Sequence, residues 1–184
     1  MTETVDDRDR KIIAAQLGRE PRGPIQVERR CPYGFPTVIR VHPLLDGQEP
    51  FPTLFWLSCP ILVEQISRLE EQGEIRRMEQ RITGDDELNA RYAENQRAYI
   101  KERWAALSEK EKRLLNERGW ETALRERGIG GLQDLGRVKC LHMHYAHHLA
   151  WENVIGAQLD EHFPIEACPP DDVICERFDV ESDR

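Results

Sequence analysis

The strand signals of this chain all lie before Pro60, and helix signals dominate the rest of the sequence. Residues 37–41 form a β-branched run bounded by prolines, and residues 53–59 form a second apolar run. The Asp46-Gly47 dipeptide between them is a turn signal, so the two runs are predicted to pair as an antiparallel hairpin. This order restricts the chain to an α+β fold, in which a small N-terminal antiparallel sheet packs with a mostly helical remainder.

Several helices are predicted from apolar spacing and from residues that begin or end helices. Pro60 favours the first position of a helix, and Ser108 with Glu111 three residues later is typical of a capping box. Gly18 and Gly73 are expected to end helices. The predicted helices cover residues 6–18, 60–73, 74–82, 87–107, 108–119 and 136–151.

Length and composition indicate one charge-rich globular domain. The chain has 184 residues, of which 33% are charged, and its mean hydropathy is −0.66. These values are typical of a soluble protein with a modest core and long exposed helices. We therefore expect a single domain over residues 1–184, with an irregular tail at about 161–184.

The charge pattern and the N-terminus restrict the partners and the location. A net charge of −8 argues against a nucleic-acid-binding surface, and the glutamates within residues 91–118 make that segment a solvated helical face. No stretch approaches the length of a membrane span, and the N-terminus lacks the apolar core of a secretory signal. We expect a cytoplasmic protein whose cysteines are reduced.

Residues 139–148 are the densest cluster of reactive side chains, with one cysteine and four of the six histidines. A helix through this segment places Cys140 and His144 one turn apart on a shared face, with His147 and His148 on the next turn. Cysteine and histidine bind soft and borderline metals, and histidine titrates near neutral pH. The segment is therefore predicted to hold a metal site or a proton-transfer site.

A predicted ligand set joins this helix to the hairpin. Cys31 and Cys59 each precede a proline, one before the first predicted strand and one at the end of the second. Since paired strands run antiparallel, these two positions are expected to lie close together. With Cys140 and His144 they form a Cys₃His set of the zinc type. The alternative interpretation is that the cysteines fill the core.

His142 and His147 are predicted to lie beside the ligands. The helical period turns His142 away from the face shared by Cys140 and His144. His147 has the angular position of Cys140 but lies about 10 Å further along the axis. That distance favours a role in proton transfer or in holding an anionic ligand such as phosphate, and His147 is also the alternative to His144 as fourth ligand.

Three blocks of sequence resemble a bacterial family, the domain-of-unknown-function 501 family, over about residues 25–160. The blocks are residues 31–36, residues 50–60, and residues 138–142 together with Ala146 and His147. The resemblance implies a small cytoplasmic protein linked to cell division or polyphosphate metabolism. It highlights Cys31, Cys140, His142 and His147. It also implies that histidine can replace Cys59, an exchange that a zinc ligand tolerates.

The leading hypothesis is a metal ion, zinc, that clamps the N-terminal hairpin to the C-terminal helix. A first alternative is an enzyme that uses a metal or an iron–sulfur cluster at the same place. A second is a metal-free interaction module with packed cysteines. The expected partner is a protein or a small anionic ligand, and nucleic acid is not expected.

Overall fold

The computed structural model describes residues 3–47 and 49–179. Its strands are β1 (Glu3–Thr4), β2 (Ile25–Arg30), β3 (Pro36–Val41), β4 (Leu44–Leu45), β5 (Glu49–Pro50) and β6 (Phe55–Leu57). Its α-helices are α1 (Asp7–Leu17), α2 (Pro60–Glu71), α3 (Glu74–Gly84), α4 (Asp86–Ala105), α5 (Glu109–Glu117), α6 (Glu121–Arg125), α7 (Leu141–Ala150) and α8 (Val154–His162). Short 3₁₀ helices occur at Ile129–Gly131 and Ile174–Phe178. The predicted α+β class is confirmed.

The main sheet has four antiparallel strands in the order β1-β2-β3-β6. In its centre, Val38 of β3 pairs with Leu57 of β6, and Ile39 pairs with Val27 of β2. The predicted hairpin is therefore confirmed as the pairing of β3 with β6. Strand β2 has no counterpart among the predicted strands, and β4 with β5 forms a separate two-stranded sheet.

Helices cover both faces of the main sheet. Successive residues of a strand point to opposite faces, so Val38 and Ile39 enter different apolar clusters. The cluster of Val38 also contains apolar residues of α2, α3, α4, α7 and α8. The cluster of Ile39 contains Ile13 of α1. The sheet thus lies between α1 and the later helices, and α7 contacts β6.

Several helix ends follow the predicted signals. Pro60 is the first residue of α2, and Ser108 with Glu111 forms both halves of a capping box at α5. The largest difference is the start of α7, which lies at Leu141 and not near residue 136. The preceding segment is held out of the helix because Val138 N–H donates to Glu79 (3.0 Å). Among residues 3–47 and 49–179, no helix is long and apolar enough to cross a membrane.

One face of helix α4 is solvated, as predicted for this segment, and the opposite face is buried. Its buried residues include large polar side chains: Tyr92, Gln96, Tyr99 and Arg103. Arg103 is fully buried, and its guanidinium donates to the backbone carbonyls of Pro52 and Leu124, each at 2.8 Å. Burial lowers the pKa of Arg103 to about 10, so the side chain still carries its charge at neutral pH.

Candidate metal centre

The start of α7 brings Cys140 and His142 against one face of α2. Cys140 is the residue before the helix and has an extended backbone (φ −157°, ψ 126°). On α2, Val63, Ser67 and Glu70 follow one another at intervals of four and three residues, so they share a face. This face meets α7 because Glu70 Oε1 accepts a hydrogen bond of 2.6 Å from the first helical N–H.

The two ring nitrogens of His142 have different neighbours. Nε2 lies 3.1 Å from the carbonyl oxygen of Val63 and 3.1 Å from Oγ of Ser67. The Ser67 hydroxyl donates its own proton to the carbonyl of Val63 at 2.8 Å, so both neighbours of Nε2 are acceptors. A proton on Nε2 suits both of these acceptors, and Nδ1 is the ring nitrogen that faces Cys140 and Glu70.

The other ring nitrogen, Nδ1, faces two further atoms that can bind a metal. Nδ1 of His142 lies 3.5 Å from Sγ of Cys140 and 3.2 Å from Oε1 of Glu70. The three ligand atoms lie within 4.8 Å of one another, and they form the one such group found among the described residues. Usual zinc bond lengths place a nitrogen and an oxygen about 3.4 Å apart, and a nitrogen and a sulfur about 3.6 Å apart. The observed distances suit a shared ion, and they also suit hydrogen bonds.

The candidate centre adjoins a cavity of about 470 Å³, which Cys140 and His142 help to line. This volume is in the range of small-molecule sites. Most of the wall is apolar and includes Phe51 and Trp56. Arg19 supplies a cation to the lining, and its guanidinium lies 4.9 Å from the ring centre of Trp56. The cavity can therefore contact both an apolar group and an anionic group.

The electrostatic environment keeps the Cys140 thiol neutral when no cation is bound. Burial raises the pKa of this thiol, and the negative charge of Glu70 raises it further. The backbone amides of Met143 and His142 oppose the rise. A bound cation would favour the thiolate, because the thiolate is the form of cysteine that binds metals.

The structure does not bring Cys31, Cys59, Cys140 and His144 into one group. Cys31 and Cys59 line a common small cavity, as expected for opposite ends of the hairpin. Cys140 lies at the other cavity described above. His144 is buried in the core with 1% of its surface exposed. The four predicted ligands are therefore distributed over three places.

His144 and His147 are both bound by Asn153, the N-cap of α8. Asn153 Oδ1 accepts from the N–H groups of Ile155 (3.0 Å) and Gly156 (3.3 Å), so its Nδ2 is the donor. Nδ2 donates to Nδ1 of His147 at 3.0 Å and to Nδ1 of His144 at 3.4 Å. Burial lowers the pKa of His144 to about 3 and that of His147 to about 4. Both rings are neutral at pH 7, and their Nδ1 lone pairs are occupied.

The start of α7 explains why the predicted ligand set differs from the observed group. Cys140 and His144 can share one helical face only if the helix includes Cys140. Because the helix begins at Leu141, the extended backbone of Cys140 brings its sulfur near the ring of His142. His142, which the helical period turned away from Cys140, is therefore its neighbour. The group that the structure brings together is Glu70, Cys140 and His142.

Glu70 and Ser67 are site residues that the sequence reasoning missed. They lie on a polar strip of α2, beside the buried apolar residues Leu62, Ile66 and Leu69. That strip is visible in the sequence as polar positions at helical spacing. The helix that packs on this strip is not visible in the sequence, because the contact between α2 and α7 joins residues that are 71 positions apart.

The fold and the site define a class of α+β protein with a thiol, an imidazole and a carboxylate grouped beside a cavity. The chain belongs to the family described as protein of unknown function (DUF501), whose model matches residues 27–161. This confirms the resemblance found in the sequence. No curated protein and no solved structure matches the chain. The matched range contains the whole candidate centre and ends before Cys168.

Proposed function

We propose that this protein binds a zinc ion through Glu70, Cys140 and His142 and uses it to hold a small anionic ligand in the adjoining cavity. The observation that carries this proposal is the grouping of a carboxylate, a thiol and an imidazole nitrogen around one point. Nδ1 of His142 lies 3.2 Å from Oε1 of Glu70 and 3.5 Å from Sγ of Cys140, while Nε2 contacts the carbonyl of Val63. Nitrogen, sulfur and carboxylate oxygen are the donors that zinc prefers in proteins.

Three protein ligands leave a fourth coordination position open. An open position is typical of zinc sites that bind or activate a ligand, whereas structural sites have four protein ligands. Cys140 and His142 belong to the cavity lining, so the cavity is where an added ligand would reach the ion. Arg19 would pair with its anionic group, and Phe51 with Trp56 would contact an apolar part.

The geometry disfavours two other kinds of chemistry at this place. In a site where histidine activates a thiol, a carboxylate orients the imidazole nitrogen that faces away from the thiol. Here Glu70 and Cys140 approach the same nitrogen, and the pKa of the thiol is raised, not lowered. An iron–sulfur cluster requires several cysteines, and Cys140 is the single cysteine of the group.

Zinc at this centre would join α2 to α7, whereas the sequence predicted a link between the hairpin and α7. The cytoplasmic location stays a prediction. A role in cell division or polyphosphate metabolism also stays a prediction. A role in polyphosphate metabolism would imply a ligand that carries phosphate. If a metal analysis finds no ion bound at this centre, the alternative of a metal-free interaction module is favoured.

Zinc content tests the metal half of the proposal. Protein purified anaerobically, loaded with zinc and desalted should lose one equivalent when Cys140→Ser, His142→Ala or Glu70→Gln is introduced. His148→Ala is the matched control, because His148 also lies on α7 and also contacts a carboxylate, that of Asp160, at 3.1 Å. This control should keep the full zinc content. Unchanged zinc in all three site variants would mean that His142 is only paired with Glu70.

Phenyl phosphate tests the ligand half, since it combines an anionic group with an aromatic ring. Zinc-loaded protein should bind it, and Arg19→Gln should weaken binding about tenfold through the loss of one charge-assisted contact. The zinc content of Arg19→Gln should not change. Equal affinity of the zinc-loaded and the chelator-treated protein would contradict the role given to the metal.

A further inference from the structure

A second set of cysteines surrounds a small cavity apart from the candidate metal centre. The set consists of Cys31, Cys59, Cys168 and Cys175, all of them free thiols. They come from the turn between β2 and β3, from the residue before α2, and from the C-terminal segment that follows α8. Four of the five cysteines of the chain thus line one cavity although they are far apart in the sequence.

We propose that Cys31, Cys59, Cys168 and Cys175 form a four-thiolate zinc site that fastens the C-terminal segment to the sheet. Zinc would displace four thiol protons and take four sulfur ligands, which is the closed coordination of a structural site. The site is independent of the proposed function, because it shares no residue with the first centre. Cys168 and Cys175 also lie outside the range that the family model matches.

The cavity offers sulfur as its metal-binding donor. Its volume is about 30 Å³, which suits a single ion or water molecule. Apart from the cysteines, the described lining is largely apolar and contains neither a carboxylate nor an imidazole. Thiolates without harder ligands select soft and borderline ions, among which zinc is the common structural choice.

The backbone around Cys59 and Cys31 suits thiolate ligands. Cys59 precedes α2, and the amides of Leu62 and Ile61 in the first turn favour its charged form, although burial raises the pKa of the thiol to about 11. A helix N-terminus stabilises negative charge. Cys31 begins a tight turn in which its carbonyl accepts from Gly34 N–H at 3.0 Å, and Gly34 has a φ of 86°.

Prolines and a glutamine constrain the cysteines of this set. Cys31, Cys59 and Cys168 each precede a proline, which restricts the cysteine to extended conformations before the turn or helix that follows. Cys175 is buried, and its sulfur accepts a hydrogen bond of 3.2 Å from Nε2 of Gln16. Such donors orient and stabilise the thiolates of metal sites.

The four cysteine side chains would have to move to close the site around an ion. No three of the four sulfurs, all of which lie in the described part of the chain, are within 4.8 Å of one another. In a tetrahedral site with bonds near 2.3 Å, the sulfurs are about 3.8 Å apart. Rotation of a cysteine between χ1 rotamers moves its sulfur by roughly 3 Å. Binding of an ion would therefore require at least two of the four cysteines to change rotamer.

Zinc content and cobalt absorption together test this site. The unmodified protein should bind one equivalent of zinc that Cys168→Ser and Cys175→Ser each remove and that Cys140→Ser retains. With Co²⁺ in place of zinc, the strong sulfur-to-metal charge-transfer absorption should persist in Cys140→Ser and fall in Cys168→Ser to at most the weaker absorption of a single thiolate ligand. If the proposed function fails and this site is real, Cys140→Ser has no effect on zinc while Cys168→Ser still lowers it.

Two results would overturn the proposal. One is the same zinc content in the unmodified protein, Cys168→Ser and Cys175→Ser. The other is a chain lighter by two hydrogen atoms after anaerobic purification, since that mass reports a disulfide within the set. Cys168 is half buried and Cys175 is buried, so Cys168→Ser remains informative if Cys175→Ser does not fold. Circular dichroism of each variant verifies the fold.

Discussion

The histidine in the first turn of α7 and the histidines in the later turns lie in different environments. His142 is partly exposed, with 21% of its side-chain surface accessible, and lies beside a cavity. His144 and His147 are 1% exposed and lie in the core. A histidine-rich segment therefore contains two different chemical environments within two turns, and its composition alone does not distinguish them.

The difference lies in what surrounds Nδ1 of each ring. In His144 and His147 this nitrogen accepts a hydrogen bond from the amide of Asn153. The ring of His147 also stacks on Phe55 with the planes 9° apart, which fixes it as a core side chain. In His142, by contrast, Nδ1 faces a thiol and a carboxylate, which together with the ring nitrogen offer three ligand atoms to a cation.

The largest effect is expected from Asn153→Ala, which removes the partner of both core histidines. It would leave two buried imidazole nitrogens unpaired, at about 1–3 kcal/mol each, and would remove the N-cap of α8, at about 1 kcal/mol. We expect the free energy of unfolding to fall by about 4 kcal/mol. Urea denaturation at pH 7 measures this change.

Ser108→Ala is the matched control for Asn153→Ala. Ser108 is also an N-cap, but it is exposed and its side chain contacts no histidine. Its loss should cost about 1 kcal/mol, the usual value for an N-cap. Equal costs for the two substitutions would mean that the contacts of Asn153 with the histidines add nothing to stability.

The second expected effect is a loss of stability in acid. The pKa values of His144 and His147 lie at about 3 and about 4, below the value of 6.5 in the unfolded chain. Below pH 6.5 the unfolded state therefore binds more protons than the folded state. The contribution of the two histidines to stability is fully present above this pH, and it declines as the pH falls toward 4. At pH 5 each histidine should lower the free energy of unfolding by about 2 kcal/mol.

The variant His144→Leu isolates one of these two contributions. Between pH 6.5 and pH 5, its free energy of unfolding should fall by about 2 kcal/mol less than that of the unmodified protein. The measurements are made with a chelator present, because metal binding also depends on pH. An identical decline in the two proteins would show that His144 is protonated in the folded state at pH 5.

Local signals predicted much of the fold and part of the candidate site. Pro60 and Ser108 begin helices as expected, because a helix start depends on a few neighbouring residues. Cys140 and His142 were both singled out by residue type. Their grouping with Glu70 could not be predicted, because it depends on the packing of α7 on α2 and on a helix start set by contacts of Val138 and Lys139. Tertiary contacts override local pattern at that point.

The smallest effect is expected from His142→Ala when a chelator is present. The substitution breaks a partly exposed contact with Glu70, and such pairs contribute about 1 kcal/mol or less. Zinc should change this result, because a ligand at 100 times its Kd stabilises the folded state by about 2.7 kcal/mol per site. His142→Ala should lose that gain, so its zinc-induced stabilisation should be smaller than that of the unmodified protein by about this amount. The same gain in both proteins would place His142 with His144 and His147 as a packing residue, and the contrast between the two parts of α7 would disappear.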